Sequence, residues 1–438
     1  MDSPVHLIVD VPAAPAAEPV DAQNRTRILF YCGTIIVALL FISPSTGFHI
    51  IPLSYILKNK LHLSANALAT FSLWAGIPAY LSFAFGLVRD YWNPFGMGDR
   101  GYFVLFGMAS AAVFATFAFL PAGEPMLLAS ALLGTFSFLF LWSAWNGLGS
   151  TIGQQLAMSG RISSLWNFAG TVATFAAYLA GGVLSDWLEG MSAGGAIRIL
   201  YLLVAAVMAA VAAFGLYKPD AVFAHLQREP GKHLNLLSDL VRLARHRPIY
   251  PVLGVWLLWN FSPASSTVLQ YYMSNTLHAS DAQWGAYNAI SSIAVVPTFL
   301  LFGFLSPKVP LGKLLWWGTA LAVPQIVPLL FVHSADAILI AAVPIGLMGG
   351  VANAAYMDLL MRACPKGLEG TLMMMSWSMY ALAVNFGNLL GTELYDHHGG
   401  FVPCVLLTTL VYALIVPALL FVPRSLIASP DGVFFAQR

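Results

Sequence analysis

A run of roughly 20 mainly apolar residues, the length a helix needs to cross the hydrocarbon of a bilayer, recurs twelve times along this chain of 438 residues. The runs lie at about 28–55, 65–88, 102–120, 126–147, 163–185, 197–217, 249–273, 282–305, 312–332, 337–361, 371–395 and 401–422. They are numbered here as spans 1 to 12. Soluble domains are about 45–50% apolar and roughly one quarter charged. This chain is 59% hydrophobic and 9% charged, with a mean hydropathy of +0.76. No soluble fold of this length buries so much apolar surface, so lipid must form part of the solvent. Spans 1, 7 and 11 are the longest and contain Pro or Gly, which predicts tilt or a local break in each.

Lys and Arg set the orientation. If the N-terminus is inside, only Lys58, Lys60 and Arg198 of the 20 basic residues fall on the outer side. The bias recurs in nearly every loop and places both termini in the cytoplasm of a multi-pass protein of the inner or plasma membrane. Residues 1–24 read as a disordered cytoplasmic tail, with acids where a cleavable signal would have basic residues. The six-span bundles 25–217 and 249–424 follow, joined by a cytoplasmic linker, 218–248. In the linker, HLNLLSDLVRLARH has the spacing of an amphipathic helix. Residues 425–438 form a second tail. A net charge of +1 argues against a nucleic-acid partner. Cys32, Cys364 and Cys404 are too few and too scattered for a disulfide framework or a thiolate metal site. No cofactor motif is present, so neither metal nor cofactor is expected, and the polypeptide is expected to act as a monomer.

The two halves repeat each other. Gly160 to Asp186 (GRISSLWNFAGTVATFAAYLAGGVLSD) aligns with Gly370 to Asp396 (GTLMMMSWSMYALAVNFGNLLGTELYD) at an offset of 210 residues. This pairs Gly160 with Gly370, Gly181 with Gly391, and Asp186 with Asp396, each within the fifth span of its half. A second correspondence joins Gly86-Leu-Val-Arg-Asp90, ending span 2, to Gly303-Phe-Leu-Ser-Pro307, ending span 8, where Pro replaces the Asp. Parallel six-span repeats are the trace of two transporter halves related by an axis along the membrane normal. With Gly86, Asp90 and Arg100 in the loop between spans 2 and 3, the sequence resembles the major facilitator superfamily. That resemblance implies an all-α membrane protein of 12 transmembrane helices in two pseudo-symmetric six-helix bundles. It also implies a secondary active transporter that moves a small organic solute by alternating access. GIPAYLSFAFGLVRDYWNPFGMGDRGY and RACPKGLEGT, with Cys364, Pro365, Gly367 and Glu369, are similar to the folate–biopterin transporter branch. The expected solute is therefore pterin- or folate-like, or otherwise planar and polar, with a proton or cation as the candidate co-substrate. An integral membrane enzyme acting on a lipid is the alternative, although no nucleophile elbow, phosphate loop or metal-ligand motif is visible.

Polar side chains within a bilayer are costly, which makes each a candidate site. Asp358 is the only carboxylate well inside a span, with Arg362 at i+4. Either it carries a coupling ion or the two form an ion pair at the end of span 10. His49, beyond Pro44-Ser-Thr-Gly47, is a candidate for coupling or for substrate, or is a packing residue. Candidates for substrate binding are Trp145 and Asn146 in span 4, Trp259 and Asn260 in span 7, Asn353 and Tyr356 in span 10, and Asn385 and Asn388 in span 11. In the superfamily spans 1, 4, 7 and 10 line the central site, which favours Asn260 and Asn353. Gly86, Arg89, Asp90, Asp99, Arg100 and Arg362 are the candidate cytoplasmic gate. Within it, Arg89–Asp90 and Asp99–Arg100 are expected to pair with one another or with the start of span 11.

Overall fold

The computed structural model describes residues 21–63, 65–224, 226, 236–264, 267–279 and 281–431. Residues 1–20 of the expected N-terminal tail, most of 225–235 in the linker, and 432–438 lie outside the described residues. Among the described residues the regular structure is helical. Spans 3 (Asp99–Phe117), 4 (Glu124–Gln155), 5 (Ser159–Leu188), 6 (Ala193–Leu216), 10 (Ala335–Ala363) and 11 (Glu369–His397) are each one continuous helix.

The other spans are interrupted, most of them beside proline, which lacks an N–H and clashes with the preceding turn. Span 2 is Ala65–Tyr80 and Ser82–Tyr91, broken after Pro78, and span 8 is Asp281–Ala294 and Val296–Leu305, broken before Pro297. Span 9 is Leu311–Ala322 followed, after Pro324, by a 3-10 turn over Val327–Phe331. Span 12 is Phe401–Ala413 and Ile415–Leu420. Among the described residues nine helices are long and apolar enough to cross a membrane. Spans 2, 7 and 11 are not among them. Span 11 is long enough, but Ser376, Ser378, Asn385, Asn388 and Thr392 dilute its apolar character.

Spans 1 and 7 are broken alike. Span 1 runs Ala22–Phe41, unwinds, resumes as Ile50–Tyr55 and closes in a π-helical turn, Ile56–Lys60. Span 7 runs Ile249–Asn260, unwinds, resumes as Thr267–Tyr271 and closes in the same kind of turn, Tyr272–Thr276. His62 and His278 then take positive φ (55° and 52°), a conformation that His tolerates better than branched residues do.

Of the two outcomes expected for span 11, tilt or a local break, the break does not occur: the helix is continuous, and its glycines make room for the break in span 7. A Cβ at Gly387 would lie 3.0 Å from the Ser262 nitrogen, and one at Gly391 only 2.1 Å from the Pro263 oxygen. The aligned Gly181 of span 5 does the same for span 1, where a Cβ would lie 2.5 Å from the Phe48 oxygen. Small residues bring other helices close as well: Gly107 of span 3 meets Ala212 of span 6, and Gly318 of span 9 meets the backbone of Ala352 in span 10. Large apolar side chains such as Phe30, Val183, Trp317, Ile340 and Phe421 face outward, as a lipid environment requires.

Candidate functional site

The polar contacts between the two halves run from the basic end of the bundle to a layer deep within it. At the basic end the charges of the span 2–3 turn are crossed. Arg89 forms a two-pronged ion pair with Asp99 (Nε–Oδ1 2.6 Å, Nη2–Oδ2 2.7 Å), while its Nη1 donates to Asp90 at 2.8 Å. The two charge pairs meet through Arg89 and Asp99, and Arg100 is engaged elsewhere. It donates to the carbonyls of Gly215, Leu216 and Tyr217 at the C-terminal end of span 6, where cationic donors satisfy the orphan carbonyls.

With one oxygen shared with Arg89, Asp90 reaches across to the other half. Its Oδ1 accepts from the Gly370 N–H at 3.0 Å, and its Oδ2 from the Thr371 N–H at 2.7 Å and the Thr371 hydroxyl at 2.6 Å. These are the first free donors of span 11, so the carboxylate caps that helix and meets its positive end. Two glycines make the approach possible. A Cβ on Gly86 would lie 2.3 Å from the Gly370 oxygen, and one on Gly147 would lie 2.2 Å from the Arg89 guanidinium carbon.

Next to this cluster, Arg362 clamps Asp358 through two bonds (2.8 and 3.1 Å) and gives a third, at 3.1 Å, to the Ser159 hydroxyl in the other half. The Asp358 side chain is fully buried. The Gln154 amide of span 4 bonds the Met361 and Cys364 carbonyls of span 10, and Ser163 donates to the Ala354 carbonyl. The closed end is therefore a continuous seam between spans 2, 4 and 5 on one side and spans 8, 10 and 11 on the other.

The seam ends in a layer without fixed charge. Asn353 Nδ2 donates across the halves to Asn167 Oδ1 at 2.7 Å, while Asn353 Oδ1 accepts from the Trp259 indole at 2.9 Å. At 1.5 Å rise per residue, Asn167 stands about 12 Å along its helix from Ser159, and Asn353 about 15 Å from Ala363. Both are near the middle of a hydrocarbon core about 30 Å thick. Beside them Trp142 packs against Trp166 (centroids 4.9 Å apart) and, across the halves, against Trp377 (5.3 Å), with Tyr380 next to Trp377. Trp166, Asn167, Trp259, Asn353 and Trp377 are all half-buried.

Of the candidates read from sequence, Trp259 and Asn353 lie in this layer. Trp145 is fully buried behind it, stacked on Trp166. Asn146 is buried, its amide nitrogen bonded to the Trp142 carbonyl at 2.8 Å and its oxygen unpartnered. Asn260 and Asn385 likewise bond back to Trp256 and Ala381 of their own helices. Asn388 is half-buried with an unpartnered oxygen. Tyr356 is fully buried beside the layer, its ring edge-on to Trp259 (centroids 5.3 Å apart) and its hydroxyl 2.7 Å from Thr319 of span 9. His49 is buried between Phe48 and Phe114, inside the first half.

Sequence reasoning missed Trp166, Asn167 and Trp377. A signal is present: of the four Trp-Asn pairs in the chain, those at 145–146, 166–167 and 259–260 lie within spans, and the pair in span 5 contributes both residues to this layer. Among the described residues no group of three His, Cys, Asp or Glu side chains is placed to hold a metal.

A family model described as Major Facilitator Superfamily matches residues 35–388. A folate-biopterin transporter from Synechocystis sp. (strain ATCC 27184 / PCC 6803 / Kazusa) is 23% identical over 373 residues, covering 80% of this chain and 71% of that protein. Among solved structures, the fold is shared with the transporter FucP in the outward conformation (TM-score 0.66, 14% identity, 89% of this chain and 98% of that one). It is shared also with the proton:xylose symporter XylE bound to 6-bromo-6-deoxy-D-glucose (TM-score 0.65, 14% identity, 94% and 98%).

Proposed function

The chain belongs to the Major Facilitator Superfamily, and from that premise we propose which solute it carries and where it binds. It is a multi-pass membrane protein and a secondary transporter, and the lipid-enzyme alternative falls away. The proposed solute is a planar, polar heteroaromatic compound of the pterin class. It is held in the layer of Trp166, Asn167, Trp259, Asn353 and Trp377.

One observation carries this reading: the asparagine–asparagine bond between the halves at mid-depth, flanked by indoles. Amides offer donors and acceptors together, and indole faces stack on flat rings. A solute edge that replaces the Asn167–Asn353 bond would engage both halves at once, as alternating access requires. The absence of fixed charge in the layer suits a neutral ring system better than a dianion. The folate-biopterin relative supports the same solute class.

The proposed orientation puts the sealed basic end in the cytoplasm, in keeping with the distribution of Lys and Arg. The structure then corresponds to a state closed to the inside, and a proton is the proposed co-substrate. Uptake into proteoliposomes tests the reading. Labelled biopterin should accumulate under an inward proton gradient, and Asn353→Ala should reduce initial uptake at subsaturating solute by about tenfold or more. Accumulation of a sugar or an amino acid but not of any pterin would reject the solute class.

A further inference from the structure

The first-half latch has a counterpart that the repeated loop cannot make. Asp90 caps span 11 through the N–H groups of Gly370 and Thr371. At the 210-residue offset the equivalent donors at the start of span 5 are the N–H groups of Gly160 and Arg161. The equivalent of Asp90 in the span 8–9 turn is Pro307, which has no carboxylate.

Yet those two donors are capped. Gly160 N–H donates to Asp431 Oδ1 and Arg161 N–H to Asp431 Oδ2, both at 3.2 Å. Asp431 is buried, and its own N–H donates at 2.8 Å to the carbonyl of Ser306, the residue before Pro307. The segment that brings it there is anchored to the second half. Arg362 Nη1 donates to the Ser429 carbonyl at 2.9 Å and the Leu426 carbonyl at 3.4 Å, and the Leu311 N–H donates to the Ser429 carbonyl at 3.4 Å. A chain fixed to spans 9 and 10 thus crosses the seam and grips span 5.

We propose that residues 428–431 are a second gate latch, in which Asp431 supplies from the C-terminal segment the capping carboxylate that Pro307 withholds. This deepens the alternating-access reading and rests on it. The latch holds only while spans 5 and 8 are in contact, where Gly303 abuts the Ser164 side chain and Gly160 abuts Ser306. Arg362 couples it to the Asp358 clamp, so release of the segment also loosens the end of span 10.

The latch is also sensitive to protons. The charged groups facing Asp431 are Asp358 and Arg362 on span 10 and Arg161 on span 5. The span 8–9 turn presents the neutral Ser306, and its Lys308 sits over the Phe304 ring. Burial, reinforced by Asp358, pushes the Asp431 carboxyl up to about 7, against the opposing pull of Arg362, the Gly160 N–H and Arg161. Once released into water the carboxyl returns to the ordinary range, near 4. The latched state therefore binds the proton more tightly, so falling pH favours the latched state between about 7 and 4. A single group changes the ratio by at most about tenfold per pH unit. Above 7 that contribution is gone, and opening near neutral pH releases a proton at this end.

Distances between spin labels at Lys218→Cys and Lys313→Cys, exposed at the basic ends of the two halves, report the gate in the full-length protein. The native cysteines are all buried. Asp431→Ala and a chain ending at Ala428 are each expected to lower the closed-to-open ratio about fivefold, the usual effect of losing a helix cap. Asp431→Asn should abolish the rise in closed population between pH 7.5 and 5.5. Unchanged distributions in both Asp431→Ala and the shortened chain would overturn the second latch. Asp90→Ala separates the two readings. If it shifts the distances while the Asp431 variants do not, only the second latch fails. If it too shifts nothing, the gate itself is misassigned.

Discussion

Gly147 shows how finely single positions are set. Its missing side chain is the space filled by the Arg89 guanidinium, so the ion pair with Asp99 depends on a residue in another span. Gly147→Ala is expected to expel Arg89 and raise the fraction open at the charged end several-fold, measured by the same label distances. Arg362 makes the complementary case. Removing one partner of a buried ion pair leaves an uncompensated charge and costs about 3–5 kcal/mol, whereas replacing both with apolar residues costs far less. Arg362→Met should therefore destabilise the protein strongly in thermal unfolding, and Asp358→Leu with Arg362→Met should recover most of the loss. Equal loss in the single and double variants would show that the bonds from Arg362 to the C-terminal segment, and not the charge of Asp358, hold this end. At this scale the sequence was partly legible. The i+4 spacing of Asp358 and Arg362 was sufficient to suggest their pair. Which partners cross between the Arg89–Asp90 and Asp99–Arg100 pairs was not readable, because it depends on how a turn folds: Phe95, Gly96 and Gly98 all take positive φ, which swings Asp99 back beneath span 2.

Among elements, the two broken spans and the unbroken helices that receive them form one design used twice. Gly181 and Gly391 occupy aligned positions and each meets an unwound backbone, of span 1 and span 7 respectively. Gly391→Val should push span 11 off Pro263 and lower thermal stability by about 2 kcal/mol or more, given the overpacking it forces. Gly182→Val, where a Cβ meets nothing within 4 Å, should change stability little. Near-equal effects of the two would remove the packing role assigned to the aligned glycines. Element count was readable from run length, since crossing the bilayer dictates it. The interruptions in spans 2, 8, 9 and 12 were less so, because run length ignores where a proline falls within a span. A further repeat is legible in the sequence. Asn59-x-Leu61-His62-x-Ser64 matches Asn275-x-Leu277-His278-x-Ser280, and the described part of each carries the π-helical turn and the left-handed histidine.

For the whole molecule, the seam between the halves explains why so few charges suffice. Arg89, Asp90, Asp99, Asp358, Arg362 and Asp431 gather at one end, and the mid-depth layer is held by amides and indoles. On the proposed reading, charges in that position favour one closed state without burdening the solute site with a fixed ion. The two-half architecture was legible from the 210-residue repeat and the charge asymmetry. The contribution of Asp431 was not, because a contact between residues 160 and 431 leaves no mark in local spacing. On the proposed reading a pterin-like solute binds at the Asn167–Asn353 layer, and the charged end only sets the balance of states. Equilibrium binding of biopterin to the purified protein tests it most directly. Asn167→Ala and Asn353→Ala are predicted to weaken binding tenfold or more, while Asp90→Ala leaves affinity within a few-fold of the parent. Parent-like affinity in both asparagine variants would contradict the account.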